Sequence, residues 1–403
     1  MPSNRELFLS NIAQTSPIPL GLEIDHAEGI YIHDVHGNIF MDLNSGISVS
    51  SLGHRHPKVI ARIQEQLEKH LHTMVYGEHI QHTQIAYANL LVQQLPESLN
   101  SIYYFMAGTE VIEAAMKLAK RTTERYEIIA CRNAYHGSTQ GAESLRSDHE
   151  YSEAFLPLIP GVRHIDFNDI NDLEKISSKT AAVILEPVQA EAGVGPPIKD
   201  YLKKVKAQCE KVGALMILDE IQTGFGRTGE LFAFQKYGLV PDILCIGKAM
   251  GGGMPIGAMV CAQSLMSAFT KSPMLGHITT FGGHPVSCAA ALGTLEAIIE
   301  EDVVSKVYEK EKLFHKLLVH PIIKEVRSSG LMMAVELDKR KYLKHIITKG
   351  MELGVIVDYF LFNNRSFRLA PPLIISNKEI EIACNKLIEA CDYAQGKYSN
   401  KRR

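Results

Sequence analysis

Between Ala214 and Gly253 two short apolar runs, ALMIL and ILCI, each lead to a charge: Asp219 directly after the first and Lys248 just after the second. A charge is costly away from water unless it is paired. In open α/β sheets, ligands gather at the carboxyl ends of the strands. An acid and a lysine delivered to one sheet edge, one crossover apart, therefore predict a shared site. The two side chains would hold opposite ends of one cofactor ring.

The neighbouring pattern supplies the sheet. SIYYFM (101–106), EIIAC (127–131) and AAVILEP (181–187) read as strands, the last closed by a third charge, Glu186. Between them lie helical patterns. Val111, Ala114, Ala115, Leu118 and Ala119 share one face. Residues 198–212 read as a helix with Ile198, Tyr201, Leu202, Val205, Cys209 and Val212 on one face and Gly213 as C-cap. Strand–helix alternation in units of ~30 residues predicts an α/β fold, a mostly parallel sheet covered by helices.

The flanks differ. YIHDV and IFMDL, around His36-Gly37-Asn38, read as a hairpin. An amphipathic helix is expected from Pro57 to His70, and another stopped at Pro96. Beyond about residue 300 a Glu- and Lys-rich helix leads to the strands LMMAVEL and SFRLAPPLI. The last helix opens with a capping box, Ser376 to Glu379, and turns Ile380, Ala383, Cys384, Leu387, Ile388 and Cys391 to one side. At 403 residues the chain exceeds the usual size of one core. The expected division is an N-terminal segment (1–50) packing with a small α/β domain (301–403), and a large domain (51–300).

Composition excludes several classes. Net charge is −3 with no long block of one sign, so neither nucleic acid nor a membrane is an expected partner. The basic tail 401–403 reads as a solvated end. No apolar run reaches the ~18 residues of a membrane span, and no signal peptide is evident. Seven scattered cysteines without a CxxC pair suggest reduced thiols in a cytoplasmic protein and give no zinc signal. His54 and His56 stand two apart, with no cysteine or carboxylate beside them in sequence, so no metal site is expected.

Several loop residues could carry chemistry. Gly108-Thr109 join a strand to a helix start, where free N–H groups and a hydroxyl make an anion site; any strand-to-helix turn can carry Gly. Tyr135 and His136 lie on a Gly-rich loop, and an aromatic there could stack on a flat ring or simply pack. Asp219 could pair with a pyridinium nitrogen, with Gln222 in reach of a ring hydroxyl; the plainer role is capping the next turn. Lys248, among glycines after a buried strand, should be desolvated and nucleophilic. Asp242 and Ala249 break the phosphate-loop spacing around it, and GFGRTG lacks the dinucleotide order. Thr279 and Thr280 could offer hydroxyls to a phosphate. Arg368 could clamp a carboxylate or be an ordinary strand arginine.

Taken together, SGISVSSLGHRHP, AGTEVIEAAMKLAK, AYHG, EPVQAEAGV, LDEIQTGFGRTG, IGKAMGGGMPIGA, TTFGGHP and FRLAPPL resemble the class III, fold-type I aminotransferases that use pyridoxal 5'-phosphate. The likeness spans nearly the whole chain. It implies that Lys248 is the Schiff-base lysine and proton shuttle, and that Asp219 pairs with the pyridine nitrogen. Gln222 lies near the ring hydroxyl, Tyr135 stacks on the ring beside His136, and Gly108 and Thr109 hold the phosphate. Thr280 reaches the same phosphate from the other subunit of a homodimer. Arg368 binds the substrate carboxylate, and Glu191 pairs with Arg368 and releases it. Ile47 and Glu186 complete the expected substrate side.

The likeness implies transfer of an amino group from an ω-amino or diamino acid (ornithine, acetylornithine, 4-aminobutyrate or similar) to 2-oxoglutarate. An aminomutase or racemase on the same scaffold is the alternative, and a non-catalytic relative a third. Ala107, Val111-Ile112, Ser138 and His284 depart from the family's usual residues. Ile47, Glu191 and Arg368 resemble 4-aminobutyrate enzymes as much as the ornithine group.

Overall fold

In the computed structural model, which describes residues 2–399, the apolar runs pair as strands in three sheets. The basic tail at 401–403 lies outside the described residues. β1 (Ile24–Glu28), β2 (Tyr31–Asp34) and β3 (Ile39–Asp42) come first. β4 (Ser101–Phe105), β5 (Glu127–Cys131), β6 (Val162–Ile165), β7 (Thr180–Leu185), β8 (Leu215–Asp219), β9 (Ile243–Ile246) and β10 (Gly257–Cys261) follow. β11 (Ile323–Ser329), β12 (Met332–Leu337), β13 (Val355–Ile356), β14 (Asp358–Tyr359) and β15 (Ser366–Leu369) close the series.

The central sheet runs β4-β10-β9-β8-β7-β5-β6. β6, β5, β7, β8 and β9 are parallel; β10 runs against both of its neighbours. β5, β7, β9 and β10 are buried along their whole length, which is why they read as continuous apolar runs. Alternate residues still serve opposite faces. Val183, Leu185, Met216, Leu218, Leu244 and Ile246 join one core, while Ala182, Ile184, Ile217, Ile243 and Cys245 join the other. The helix Gly108–Thr123 packs on the second face, and Tyr201–Val212 lies against β7 and β8. The helix Pro285–Glu300 is buried on almost every side, against the helices Pro57–Leu67 and His82–Val92.

The hairpin β2–β3 forms as expected, its turn held by the Asp34 carboxylate, which accepts from the N–H groups of His36 and Asn38. β3 pairs in parallel with β13, so the N-terminal sheet is completed from the C-terminal third. β11-β12-β15-β14 form an antiparallel sheet of their own. The helix Asn377–Ser399 starts at the expected capping box: Glu379 N–H donates to Ser376 Oγ and Ser376 N–H to Glu379 Oε2. We propose that segment 1–50 packs with a small domain, 301–403, beside the large domain 51–300; the β3–β13 pairing supports it.

Some sequence expectations need correction. The helix from Pro57 ends at Leu67, not His70. Ile198 is no part of a buried helical face: it is 51% exposed, and the helix starts at Tyr201. Lys199 adopts φ +41°, in the left-handed region, so the right-handed helix can begin only after it. His54 and His56 do have carboxylate partners, Asp42 at 3.0 Å and Glu301 at 3.2 Å. Asp42 lies 12 residues before His54, and Glu301 comes from a remote part of the sequence. No group of three His, Cys, Asp or Glu among the described residues is arranged to hold a metal.

Candidate active site

The carboxyl ends of the parallel strands open on a cavity of about 450 Å³. Gly108, Thr109, Tyr135, His136, Glu186, Asp219, Gln222 and Lys248 all border it. Eight of the residues singled out from sequence thus come to one place.

Asp219 is the last residue of β8 and is 5% exposed. Its Oδ1 accepts the N–H of Ile221 at 3.0 Å, and its Oδ2 lies 2.7 Å from Nδ1 of the buried His136. Burial pulls the affinity of His136 for a proton down, but the hydrogen bond and charge of Asp219, with Glu186 beyond, outweigh it, and the pKa ends raised. His136 therefore backs the carboxylate and holds its negative charge in place.

Lys248 follows β9 after Gly247 and adopts φ +47°, in the left-handed region. That backbone is costly for a side-chain-bearing residue and concentrates at functional positions. Its Nζ donates to Gln222 Oε1 at 3.0 Å. Burial lowers its pKa; Glu191 counters that, Arg368 adds to it, and Asp219 and Glu186 oppose it. The result is an amine more readily neutral, and so nucleophilic, than an exposed lysine. Glu186, after β7, accepts N–H bonds from Tyr135 (3.2 Å) and Ala190 (2.8 Å), and burial pushes its carboxyl up to about 7.

At the other end stands the N-terminus of the helix Gly108–Thr123, whose N-cap Ala107 makes no side-chain bond. Its first-turn N–H groups and dipole suit an anion. Thr109 Oγ1 meets Thr139 Oγ1 at 2.7 Å, and Thr139 donates onward to Glu113 at 2.6 Å. Gly137, at φ +132°, passes so close that an added Cβ would stand 2.3 Å from Thr109 Oγ1. A glycine is required there.

The substrate side draws on more distant chain. Arg368 of β15, 3% exposed, donates from Nη2 to Glu191 Oε1 at 2.6 Å. Glu191 also accepts the N–H of Leu361 at 3.0 Å. Arg368 sits over the ring of Phe360, and its Nε and Nη1 are buried without a partner. Ile47 is 37% exposed, on the turn after β3, and does not border the cavity. Thr280 is exposed and lies outside the cavity of its own chain.

Sequence reading passed over Ile221, Thr139, Glu113, Arg146 and Asp358. Ile221 borders the cavity and presses on Gly108, where a Cβ would meet it at 2.9 Å. The buried Arg146 lies over the rings of Tyr151 (4.7 Å), Phe362 (5.3 Å) and Tyr135 (5.8 Å), bridging the loops at the two ends of the site. Ile221 was the one with a signal, since it sits between Asp219 and Gln222. In LDEIQTGFGRTG, Arg227 proves structural: fully buried, it donates to the carbonyls of Leu331 (2.9 Å) and Pro371 (2.6 Å) and to Ser51 Oγ (3.0 Å).

Residues 12–391 match the family model described as Aminotransferase class-III. An acetylornithine aminotransferase of Methanopyrus kandleri is 38% identical over 368 residues, covering 90% of this chain and 92% of its own. A putrescine aminotransferase of Pectobacterium atrosepticum is 38% identical over 364 residues, covering 86% and 77%. Among solved structures, the ornithine aminotransferase of Toxoplasma gondii superposes with a TM-score of 0.90 at 29% identity, over 97% of this chain and 94% of that one. That structure holds pyridoxal phosphate at partial occupancy in its active site.

Proposed function

The chain belongs to the class III aminotransferases, and on that premise we propose that it moves an amino group from an ω-amino or diamino acid to 2-oxoglutarate. It is a pyridoxal-phosphate-dependent transaminase of fold type I. The residues present fit that cofactor. An uncapped helix N-terminus with Thr109 suits its phosphate, the buried Asp219 its ring nitrogen, and the more readily neutral amine of Lys248 its carbonyl carbon. Bound there, the cofactor supplies a carbonyl that bonds to amines and a protonated ring that takes up an electron pair.

Each residue then has a task. Lys248 would hold the cofactor's carbonyl carbon, and its Nζ, when free, would carry the proton. Asp219, backed by His136, keeps the ring nitrogen protonated. Gln222, already bonded to Lys248, stands in reach of the ring hydroxyl. Tyr135 covers one ring face, and Thr109 with the N–H groups of Gly108 and Thr109 anchors the phosphate. Thr280 serves the same phosphate across a homodimer. Its exposure, outside its own chain's cavity, supports that placement.

The observation that carries the acceptor is Arg368. A buried guanidinium with two unpartnered nitrogens is an unfinished carboxylate site. With Glu191 closed on it, the site takes an amine donor; when a dicarboxylate enters, Glu191 leaves and the guanidinium receives the carboxylate. Purified, cofactor-loaded protein should form glutamate from 2-oxoglutarate and at least one donor among ornithine, acetylornithine, putrescine and 4-aminobutyrate. No glutamate from any of them would reject the reading. Sedimentation should show a dimer, and a fully active monomer would reject the role of Thr280.

A further inference from the structure

We propose that Asp358 recognises a second, cationic group on the amino donor, so that the donor is a free diamine or diamino acid and not an N-acylated one. This rests on the aminotransferase reading above and narrows its donor. β14 and β15 are antiparallel, and Asp358 is the direct Cα partner of Arg368. Directly opposed residues on such strands carry their side chains on the same face. Asp358 therefore shares the face from which Arg368 reaches Glu191. The intervening backbone closes the same corner: Tyr359 C=O accepts from Arg368 Nη2 at 3.4 Å, and Leu361 N–H donates to Glu191.

A third element arrives from the N-terminal sheet. The side chain of Asn44 lies close enough to Asp358 to lower the pKa of its carboxyl. Asn44 opens a turn in which Ser45, Gly46, Ile47 and Ser48 have φ of 53°, 58°, 63° and 62°. Four successive left-handed residues, one of them β-branched, persist only where their surroundings hold them. Here Ser45 N–H donates to Asp42 Oδ1 at 2.8 Å, and Ser45 Oγ donates to the carbonyl of Ala370, just beyond β15, at 2.7 Å. The turn is thus fastened to the strand that carries Arg368, and it presents Ile47 beside Asn44.

The charges at this corner do not balance. Arg368 bonds Glu191 and a carbonyl through Nη2 and leaves Nε and Nη1 without a partner, and this one guanidinium stands against two carboxylates, Glu191 and Asp358. The donor to Asp358 is neutral, the N–H of Tyr359 at 2.8 Å, and the neighbouring Asn44 is neutral too. No ion pair engages it among the described residues. Burial is the largest influence on its carboxyl and raises its pKa; the charge of Arg368 lowers it but is shared with Glu191, so the corner is one positive charge short. An ammonium at the donor's far end would supply that charge, whereas an acylated nitrogen brings none.

The test compares wild type and D358N, both loaded with cofactor, in the half-reaction without acceptor, followed by the cofactor's absorbance. Probes are 1,4-diaminobutane against 1-aminobutane, and ornithine against N-acetylornithine. In wild type both pairs should favour the free second amine. In D358N the preference should fall about tenfold or more, with D358E retaining most of it. A preference within twofold of wild type in D358N, or a wild-type preference for N-acetylornithine, overturns the proposal. If no amine alters the absorbance, the aminotransferase reading fails instead. Calorimetric titration of the loaded protein with the two butanes then judges Asp358 alone: equal affinity would overturn its role. An unchanged cofactor spectrum and melting temperature in D358N show that the variant is folded.

Discussion

At the cofactor end, Glu186, Asp219 and Lys248 each end or follow a parallel strand of the central sheet, and hydrogen bonds to His136, Gln222 and backbone N–H groups hold them. At the substrate end, Glu191, Arg368, Asp358 and Asn44 come from the loop after β7, from two strands of the antiparallel sheet and from the turn after β3. The first set is rigid by construction, because each side chain is anchored to a buried strand. The second is an assembly of three layers whose key contact, Glu191 to Arg368, is an ion pair that a competing carboxylate can replace. In the function we propose, one end serves a fixed cofactor while the other serves two different substrates.

That contrast predicts donor-independent losses at the cofactor end and substrate-dependent losses at the other. The largest effect is expected for K248A, which should lower kcat by about 10⁴-fold or more with every donor, since nucleophile and proton carrier are both lost. D219N should follow, with kcat down by about 10²–10³-fold across the same donors. A loss confined to some donors in either variant would break the distinction between the ends.

R227M probes the joint between the layers. It leaves two buried carbonyls and Ser51 without their donor and should cost about 3 kcal/mol or more in chemical denaturation. Unchanged stability would mean that the layers are held elsewhere. R368K should raise KM for 2-oxoglutarate about 10–100-fold, because an ammonium cannot reproduce the planar fork. A donor that lacks a carboxylate should feel much less, and an equal rise for both would remove the substrate-specific character of this end.

The smallest effect concerns pH. The carboxyl of Glu186 is raised to about 7 by burial, from an ordinary 4.5. The folded state therefore keeps a proton that the unfolded state releases, and this contribution to stability declines as pH rises from about 4.5 to about 7. The melting temperature of E186Q should gain on wild type across that window. A constant difference would place the titration of Glu186 outside it.

Much of the cofactor end was legible because its signals are local. An apolar run that ends in a charge is visible within about ten residues, and the run itself states that the strand is buried. Asp219, Lys248 and Glu186 were found that way, and the two faces of β7, β8 and β9 follow from the alternation of their residues. The substrate end had no such signal. β14 is two residues long, too short for any period, and Asp358 reads as one more acid in a loop. Ile47 gives no hint of its left-handed backbone, because the strain depends on Asp42 and Ala370 holding the turn. His54 looked unpartnered for the same reason as Arg368 looked ordinary: their carboxylates lie 12 and 177 residues away.

By itself, then, the sequence determined the parallel sheet, the charged strand ends and the chemistry they can perform, because burial and side-chain period act along a single strand. Only the tertiary structure decided that His136 stands behind Asp219, that Arg368 closes on Glu191, and that Asp358 faces the same corner. Those relations are set by strand register and by the docking of separate sheets, and no stretch of chain encodes them before the layers meet.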